Sequence, residues 1–409
     1  MRLTPVMLAL LLALSPGAVA MQASAPSAPV PAQTPDTVGT ESDGNATDRN
    51  TTDVMTLGTD SDRTAFHSPS LALGSSLAMG HDGLRTQLSV NALNAQLEAS
   101  NTAEKKKQTL NRYRYHIENR IISLKATERQ ATQAFSNGTI SESEYLRTLG
   151  RIDAEADQIR KIIETMRVRA DDISRFNLGT EADTLRGKLT TIEGPVRDRI
   201  SAAVRGETAP RKVYVSTADT GIVLSTIDGD TYIRELVRKD NRDPSAPPNL
   251  SPIQAQNAVL DRYSWASEHL RGTNTFRYGS TSILSVSVTH QQGELVAYVD
   301  GGTEKVFKEV QYKQLTGNHA LPPGPADVNS SENVTLAVNR TYPGGPLRVK
   351  LTNATGAPLQ GRITVAGDSV GRTDPNGVLW TLGPSEEFRV SAIHEDTTVN
   401  VTTTPVEAS

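Results

Sequence analysis

The 409-residue chain sets 42 Lys and Arg against 46 Asp and Glu, so a net charge of −4 gives no global attraction to nucleic acid. It contains no cysteine, which excludes thiol nucleophiles, thiolate metal sites and redox roles, and leaves burial alone to hold the fold. Aromatic residues make up only 4%, which limits core size and the ring platforms that stack on sugars.

The chain opens with Arg2, an unbroken apolar run from Val6 to Leu14, a break at Pro16 and Gly17, and Ala18-Val19-Ala20 as a small-residue cleavage site. That order of features predicts a secretory signal peptide over residues 1–20. The run is shorter than the roughly 20 apolar residues a bilayer span needs, and no later segment approaches that length. The expectation is a mature chain that begins near Met21 or Gln22, has no membrane span, and is secreted or held at the cell surface or envelope. Asn-x-Ser/Thr acceptors agree with export: Asn45, Asn50, Asn137, Asn329, Asn333, Asn339, Asn353 and Asn400 are candidate glycosylation sites. Asn249 is set aside because Pro252 follows its serine.

Residues 21–80 are rich in Ala, Pro, Ser, Thr, Asp and Gly, with Pro26, Pro29, Pro31 and Pro35 among small residues. Without apolar periodicity this stretch is expected to be a disordered leader. A helical region is expected over 84–205. Leu110, Tyr113, Ile117, Ile121, Leu124, Ala131 and Phe135 recur at helical spacing, and Ser136-Asn137-Gly138-Thr139 breaks the pattern. Ser141 with Glu144 is a capping-box signature. Tyr145, Leu149, Ile152, Ala156, Ile159, Ile163, Met166, Ala170 and Ile173 then alternate in four- and three-residue steps, as a coiled-coil seam does. The short polar break between the two segments predicts an antiparallel, coiled-coil-like helical hairpin. Its basic first helix reads as a solvated face rather than a surface for nucleic acid. Leu185, Leu189, Val196, Ile200 and Val204 add shorter helices, with Pro195 suited to a first turn.

Near Lys212 the period changes to two. Val213 to Val215, Ile222 to Leu224 and Tyr232 to Val237 read as strands, with Asp228-Gly229 as a hairpin turn. A helix from Pro252 is expected to carry Ala255, Ala258, Val259, Tyr263, Ala266 and Leu270 on one side. Strands at 283–288, 295–299 and 305–312 follow, so residues 212–318 read as an α+β domain. Ala255-x-x-Ala258-Val259-Leu260-x-x-Tyr263, with Leu295-Val296-Ala297-Tyr298-Val299-Asp300-Gly301-Gly302-Thr303-Glu304-Lys305-Val306, resembles the PepSY family of small secreted modules, although Glu304 stands where that family usually has glycine. The resemblance implies a modulator of exported proteases.

A proline-marked linker is expected over 319–331. Residues 332–403 alternate in short runs between turns rich in Gly, Pro, Asn and Asp, which predicts an Ig-like β-sandwich. Gly356 to Val365 followed by Gly371-Arg372-Thr373-Asp374-Pro375-Asn376-Gly377 is similar to the carboxypeptidase regulatory-like (transthyretin-like) fold. That resemblance implies a spacer or adhesion module without catalytic residues. Asp374 is explained by its turn, since a lone Asp-Asn pair cannot fill a calcium shell. The whole layout is multidomain α+β and resembles uncharacterised archaeal secreted or envelope proteins.

No catalytic motif appears. His67, His81, His116, His269, His290, His319 and His394 are scattered without metal-ligand spacing. There is no G-x-S-x-G elbow, P-loop or dinucleotide fingerprint. The sequence therefore predicts an exported non-enzymatic interaction or scaffold protein with no cofactor and no metal. Its partner is an unknown protein or a second copy, reached through the helical hairpin. The alternatives are a PepSY-like protease modulator and, further off, a glycan hydrolase built on paired carboxylates.

Overall fold

Among the described residues helices dominate from Leu73 to Arg205, behind one short strand, and strands dominate beyond, as the change of apolar period requires. The computed structural model describes residues 51–247 and 249–407. The expected signal peptide, the first part of the leader, Asn45 and Asn50 lie outside the described residues.

The first half contains β1 (Arg63–His67), α1 (Leu73–Glu98), α2 (Ala103–Ser136), α3 (Glu142–Asp171), α4 (Gly179–Leu189) and α5 (Pro195–Arg205). The Thr102 hydroxyl caps α2 by accepting from the Lys105 N–H, and the helix ends ahead of Gly138, whose φ of +73° few other residues adopt. The Ser141 hydroxyl caps α3 by accepting from the Glu144 N–H. α2 and α3 run antiparallel: Thr132 and Tyr145 share a hydroxyl hydrogen bond of 3.0 Å near the turn, while Arg120 pairs with Glu155 further along. All nine seam residues, from Tyr145 in α3 to Ile173 just past its end, are buried. Their partners are internal. Leu93 and Leu97 of α1, Leu110, Ile117, Ile121 and Leu124 of α2, and Leu185 and Leu189 of α4 fill most of the seam. The remainder, around Tyr145 and Leu149, packs on the sheet with Phe135. Self-association through the hairpin seam therefore has no free seam to use.

The expected leader is corrected here. Residues 51–80 are not a disordered leader: Thr52, Val54, Met55 and Leu57 are buried, β1 joins a sheet, and α1 starts at Leu73. α1 escapes a periodicity reading because its apolar residues lie on two opposite sides, with Met79, Leu93 and Leu97 inward and several leucines outward.

The middle region holds β2 (Val213–Ala218), β3 (Gly221–Asp228), β4 (Thr231–Arg238), α6 (Pro252–Arg262), α7 (Ser264–Glu268), β5 (Leu270–Arg277), β6 (Ile283–His290), β7 (Gly293–Asp300) and β8 (Val306–Gln314). The single helix expected from Pro252 to Leu270 is broken at Tyr263, and Leu270 is an exposed strand residue. One eight-stranded antiparallel sheet results, in the order β1-β2-β3-β4-β8-β7-β6-β5. Both its faces are covered. Val213, Val215, Ile222, Leu224 and Ile233 meet Phe135, Leu149, Val196, Ile200 and Val204 from the helices. On the reverse, Tyr214, Tyr232, Leu236, Val286 and Leu295 meet Ala255, Val259 and Tyr263, together with Val54, Met55 and Leu57. The helical and α+β regions, expected at 84–205 and 212–318, thus share one sheet and two cores.

The C-terminal module is a sandwich of β9 (Ala326–Ser331), β10 (Val334–Asn339), β11 (Pro346–Asn353), β12 (Arg362–Val365), β13 (Asp368–Arg372), β14 (Val378–Leu382), β15 (Phe388–His394) and β16 (Thr397–Thr403). Its sheets are ordered β14-β11-β10-β9 and β13-β12-β15-β16. β9 occupies part of the expected linker; as an edge strand with Val328 outward it carries no alternating signal. The module is docked on the large sheet. The Gly344 carbonyl accepts from Ser225 Oγ at 2.6 Å and from Tyr232 Oη at 3.1 Å, and a side chain at Gly344 would run into the Tyr214 ring. Tyr342 and Leu382 join the core on that face.

One buried ion cluster fastens the helices to the sheet. Arg197 of α5 donates to Glu235 of β4 and to Glu128 of α2, both at 3.0 Å, and all three side chains are buried. Replacing Arg197 by Met leaves two buried carboxylates without their cation, and should lower the unfolding free energy by about 3–5 kcal/mol. Guanidinium chloride melts check this, and adding Glu128→Leu and Glu235→Leu to the same chain should restore most of the loss.

Candidate functional site

The ionisable side chains that strands bury are the place to look for chemistry. On the helical face, a cavity of about 330 Å³ is lined by Asp153, Asp157, Asp198, Tyr298, Lys308 and Tyr312. A second, of about 470 Å³, shares Asp153, Asp157 and Asp198 and adds Asp82 and Arg205. Asp153 accepts the Gly194 N–H at 3.0 Å, and burial holds its carboxyl up to about 7, with the Glu235 charge adding to the rise. Lys308 donates to the carbonyls of Thr190 and Glu193, both at 2.6 Å, and burial pushes its pKa down.

Carboxylates do share a cleft here, which a hydrolase would need. Each, however, already has a partner. Asp157 pairs with Lys161 at 2.9 Å, Asp198 with Arg199 at 2.6 Å, and Glu193 with Arg160. Among the described residues no group of three or more His, Asp or Glu could hold a metal ion.

The reverse face carries a second polar layer. Glu309, Gln311 and Lys313 alternate along β8 and point the same way, and each binds the main chain of residues 52–55. Glu309 accepts the Met55 N–H at 2.8 Å, Gln311 donates to the Asp53 carbonyl at 2.6 Å, and Lys313 donates to the Thr52 carbonyl at 2.8 Å. Arg234 of β4 bridges Glu309 and the Met55 carbonyl, and Tyr263 donates to Glu309 at 2.7 Å. His290 lies beside Thr52 at 3.3 Å, and burial lowers its pKa to about 4, aided by Lys313. The segment is thus held by its backbone, as a bound peptide would be.

The candidate glycan acceptors are not equivalent. Asn137, Asn333 and Asn400 are exposed. Asn329 is exposed, but its amide donates to the Asn400 carbonyl at 2.8 Å. Asn339 is half-buried, with its amide on the Gly324 carbonyl at 2.8 Å. The Asn353 side-chain oxygen Oδ1 closes its own turn by accepting from Thr355 and the Ala357 N–H.

Sequence reasoning passed over Asp153, Arg197, Lys308 and Glu309. A signal was available: Arg234-Glu235 and Lys308-Glu309 are opposite-charge neighbours inside strands whose apolar residues fall on both faces, so neither member can reach solvent.

Residues 1–209 match a domain of unknown function, DUF7096. The chain belongs to this family. Its residues 213–318 match a family of unknown function, DUF7094, and residues 325–401 match an archaeal fibronectin-III type-like domain. No curated protein and no solved structure gives a match. An archaeal chain ending in an Ig-like sandwich fits these matches; neither the PepSY nor the transthyretin-like resemblance is among them. The boundary between the DUF7096 and DUF7094 regions cuts across one sheet, because β1 of the first is the edge strand on β2 of the second.

Within the DUF7096 region Asp153 makes stability depend on pH. Its folded pKa is raised, so the folded chain keeps a proton that the unfolded chain releases, and this contribution is complete below about pH 4 and lost as pH rises toward 7. Asp153→Asn, which can still accept from Gly194, should melt higher than the parent above pH 7, with the gap closing toward pH 4 in thermal melts.

Proposed function

We propose that the protein is an exported, non-enzymatic interaction or scaffold protein of the cell surface. One observation carries the reading: the charges buried at the sheet serve as cross-links. Arg197, Arg234, Lys308 and Lys313 are spent on carboxylates or carbonyls of neighbouring elements. The signal-peptide pattern and the exposed acceptors support the compartment, and the docked sandwich supports a rigid display platform. Expressed at full length in an archaeal host, the chain should be recovered from the medium or the cell surface. Peptide mass spectrometry should find residues 1–20 removed and glycan mass at Asn137, Asn333 or Asn400 but not at Asn339. Recovery inside the cell with residues 1–20 attached overturns the reading.

A second reading is favoured by the segment held at 52–55. A PepSY-like modulator of exported proteases would use this backbone-binding face against an extended peptide. Titrating the full chain into a secreted serine protease should then slow cleavage of a peptide substrate, and an unchanged rate removes it.

A further inference from the structure

α1 turns a mixed stripe toward the other helices. Met79, Asp82, Thr86, Ser89, Leu93 and Leu97 follow one another in steps of three and four, and at about 100° per residue they lie within about 80° of one another. Met79, Leu93 and Leu97 are buried, so this is the side on which the helix packs. Its middle is nonetheless polar at three successive positions, where a packed seam takes apolar residues. The same helix has leucines that it leaves in solvent, Leu77, Leu84 and Leu88 among them.

The polar stretch does not close on its neighbours. A cavity of about 580 Å³ lies there between α1, α2 and α3, within the size range of pockets that hold small organic ligands. Buried Ile117 of α2 and Ile159 of α3, with half-buried Ile162, supply an apolar wall. The charge of the remaining wall is lopsided. Arg112, His116 and Arg120 enter from α2, four residues apart and so in one row, and Arg85 enters from α1. The two acids of the wall are already matched. Glu155 accepts from Arg120 with both oxygens, one of them at 2.7 Å, and Asp82 lies 3.9 Å from Arg151. Arg85 and Arg112 are left over: among the described residues neither has a hydrogen bond or an ion pair. That sets them apart from Arg197 and Arg234, which are spent on carboxylates of the fold.

We propose that this cavity binds a small organic phosphate or carboxylate, whose anionic group meets Arg85 and Arg112 while its apolar body lies on Ile117, Ile159 and Ile162. A guanidinium offers paired N–H donors that match either anion. Thr86 and Ser89, being small and polar, keep open a space that leucines at the same positions would fill. The site goes beyond the interaction reading above and does not depend on it.

Isothermal titration of the full chain with naphthyl phosphate and with naphthoate tests the site. At least one should bind with micromolar affinity. Inorganic phosphate and naphthol, which offer the charge or the rings alone, should each bind at least about tenfold more weakly. Arg85→Gln with Arg112→Gln should weaken binding about thirtyfold or more at an unchanged circular dichroism spectrum, since neither arginine holds the fold. Thr86→Leu with Ser89→Leu completes the apolar stripe, and should abolish binding while raising the melting temperature. Absence of binding by both naphthyl anions at millimolar concentration overturns the inference. So does binding that survives either double variant, or naphthol or inorganic phosphate binding as tightly as the naphthyl anions.

Discussion

A single guanidinium decides how this chain is assembled. Arg197 projects from a short helix into the space between α2 and β4, where it meets Glu128 and Glu235 away from water. A buried ion triad adds little net stability compared with an apolar one, but once present it penalises any arrangement that separates its members. The helices can therefore dock on this sheet face in one way. The Val196 N–H, at the start of the same helix, also donates to Glu235 at 3.1 Å, so the helix terminus and the carboxylate fix each other.

The reverse face repeats the device with different partners. Glu309 gathers Arg234, Tyr263 and the Met55 amide, and so pins α6, the sheet and the chain's early residues at one point. Between the two polar layers lie apolar cores on both faces of one sheet. Sequence families divide the chain near residue 210, yet its hydrogen bonds do not. A DUF7096 region without the strands that follow it would lack partners for Val196, Ile200 and Val204, and a DUF7094 region alone would lack one face of its sheet. The sandwich is likewise joined through the Gly344 carbonyl rather than hung on a tether.

What could be read from the sequence follows from where each apolar residue goes. α2 and α3 were legible because their seams are one-sided. The strands β10, β11 and the start of β15 alternate against a single core and were legible too. α1 was not, since its leucines face out and its core residues face in. β1, β9 and β13 are half-buried or exposed edge strands whose composition resembles a loop. The candidate site was hidden for another reason. A charged residue in a strand is read as solvent-facing, and Arg234, Glu235, Lys308 and Glu309 are buried only because helices or chain segments cover both sheet faces. That is a tertiary fact with no local signature beyond the paired opposite charges.

The placement of β1 has a consequence for the lifetime of the molecule. β1 closes the edge of β2 along its full length, from Arg63 opposite Thr217 to His67 opposite Val213. β2 is buried at every position, so its uncovered edge would be a flat, apolar template of the kind that recruits further strands. The residues just ahead of β1 are the same ones that Glu309, Gln311 and Lys313 hold by their backbone. A protease cut within residues 52–57 would thus free the segment that leads into β1 and loosen the strand that closes this edge. The main-chain contacts of residues 52–55 guard an aggregation-prone edge from several residues away along the chain.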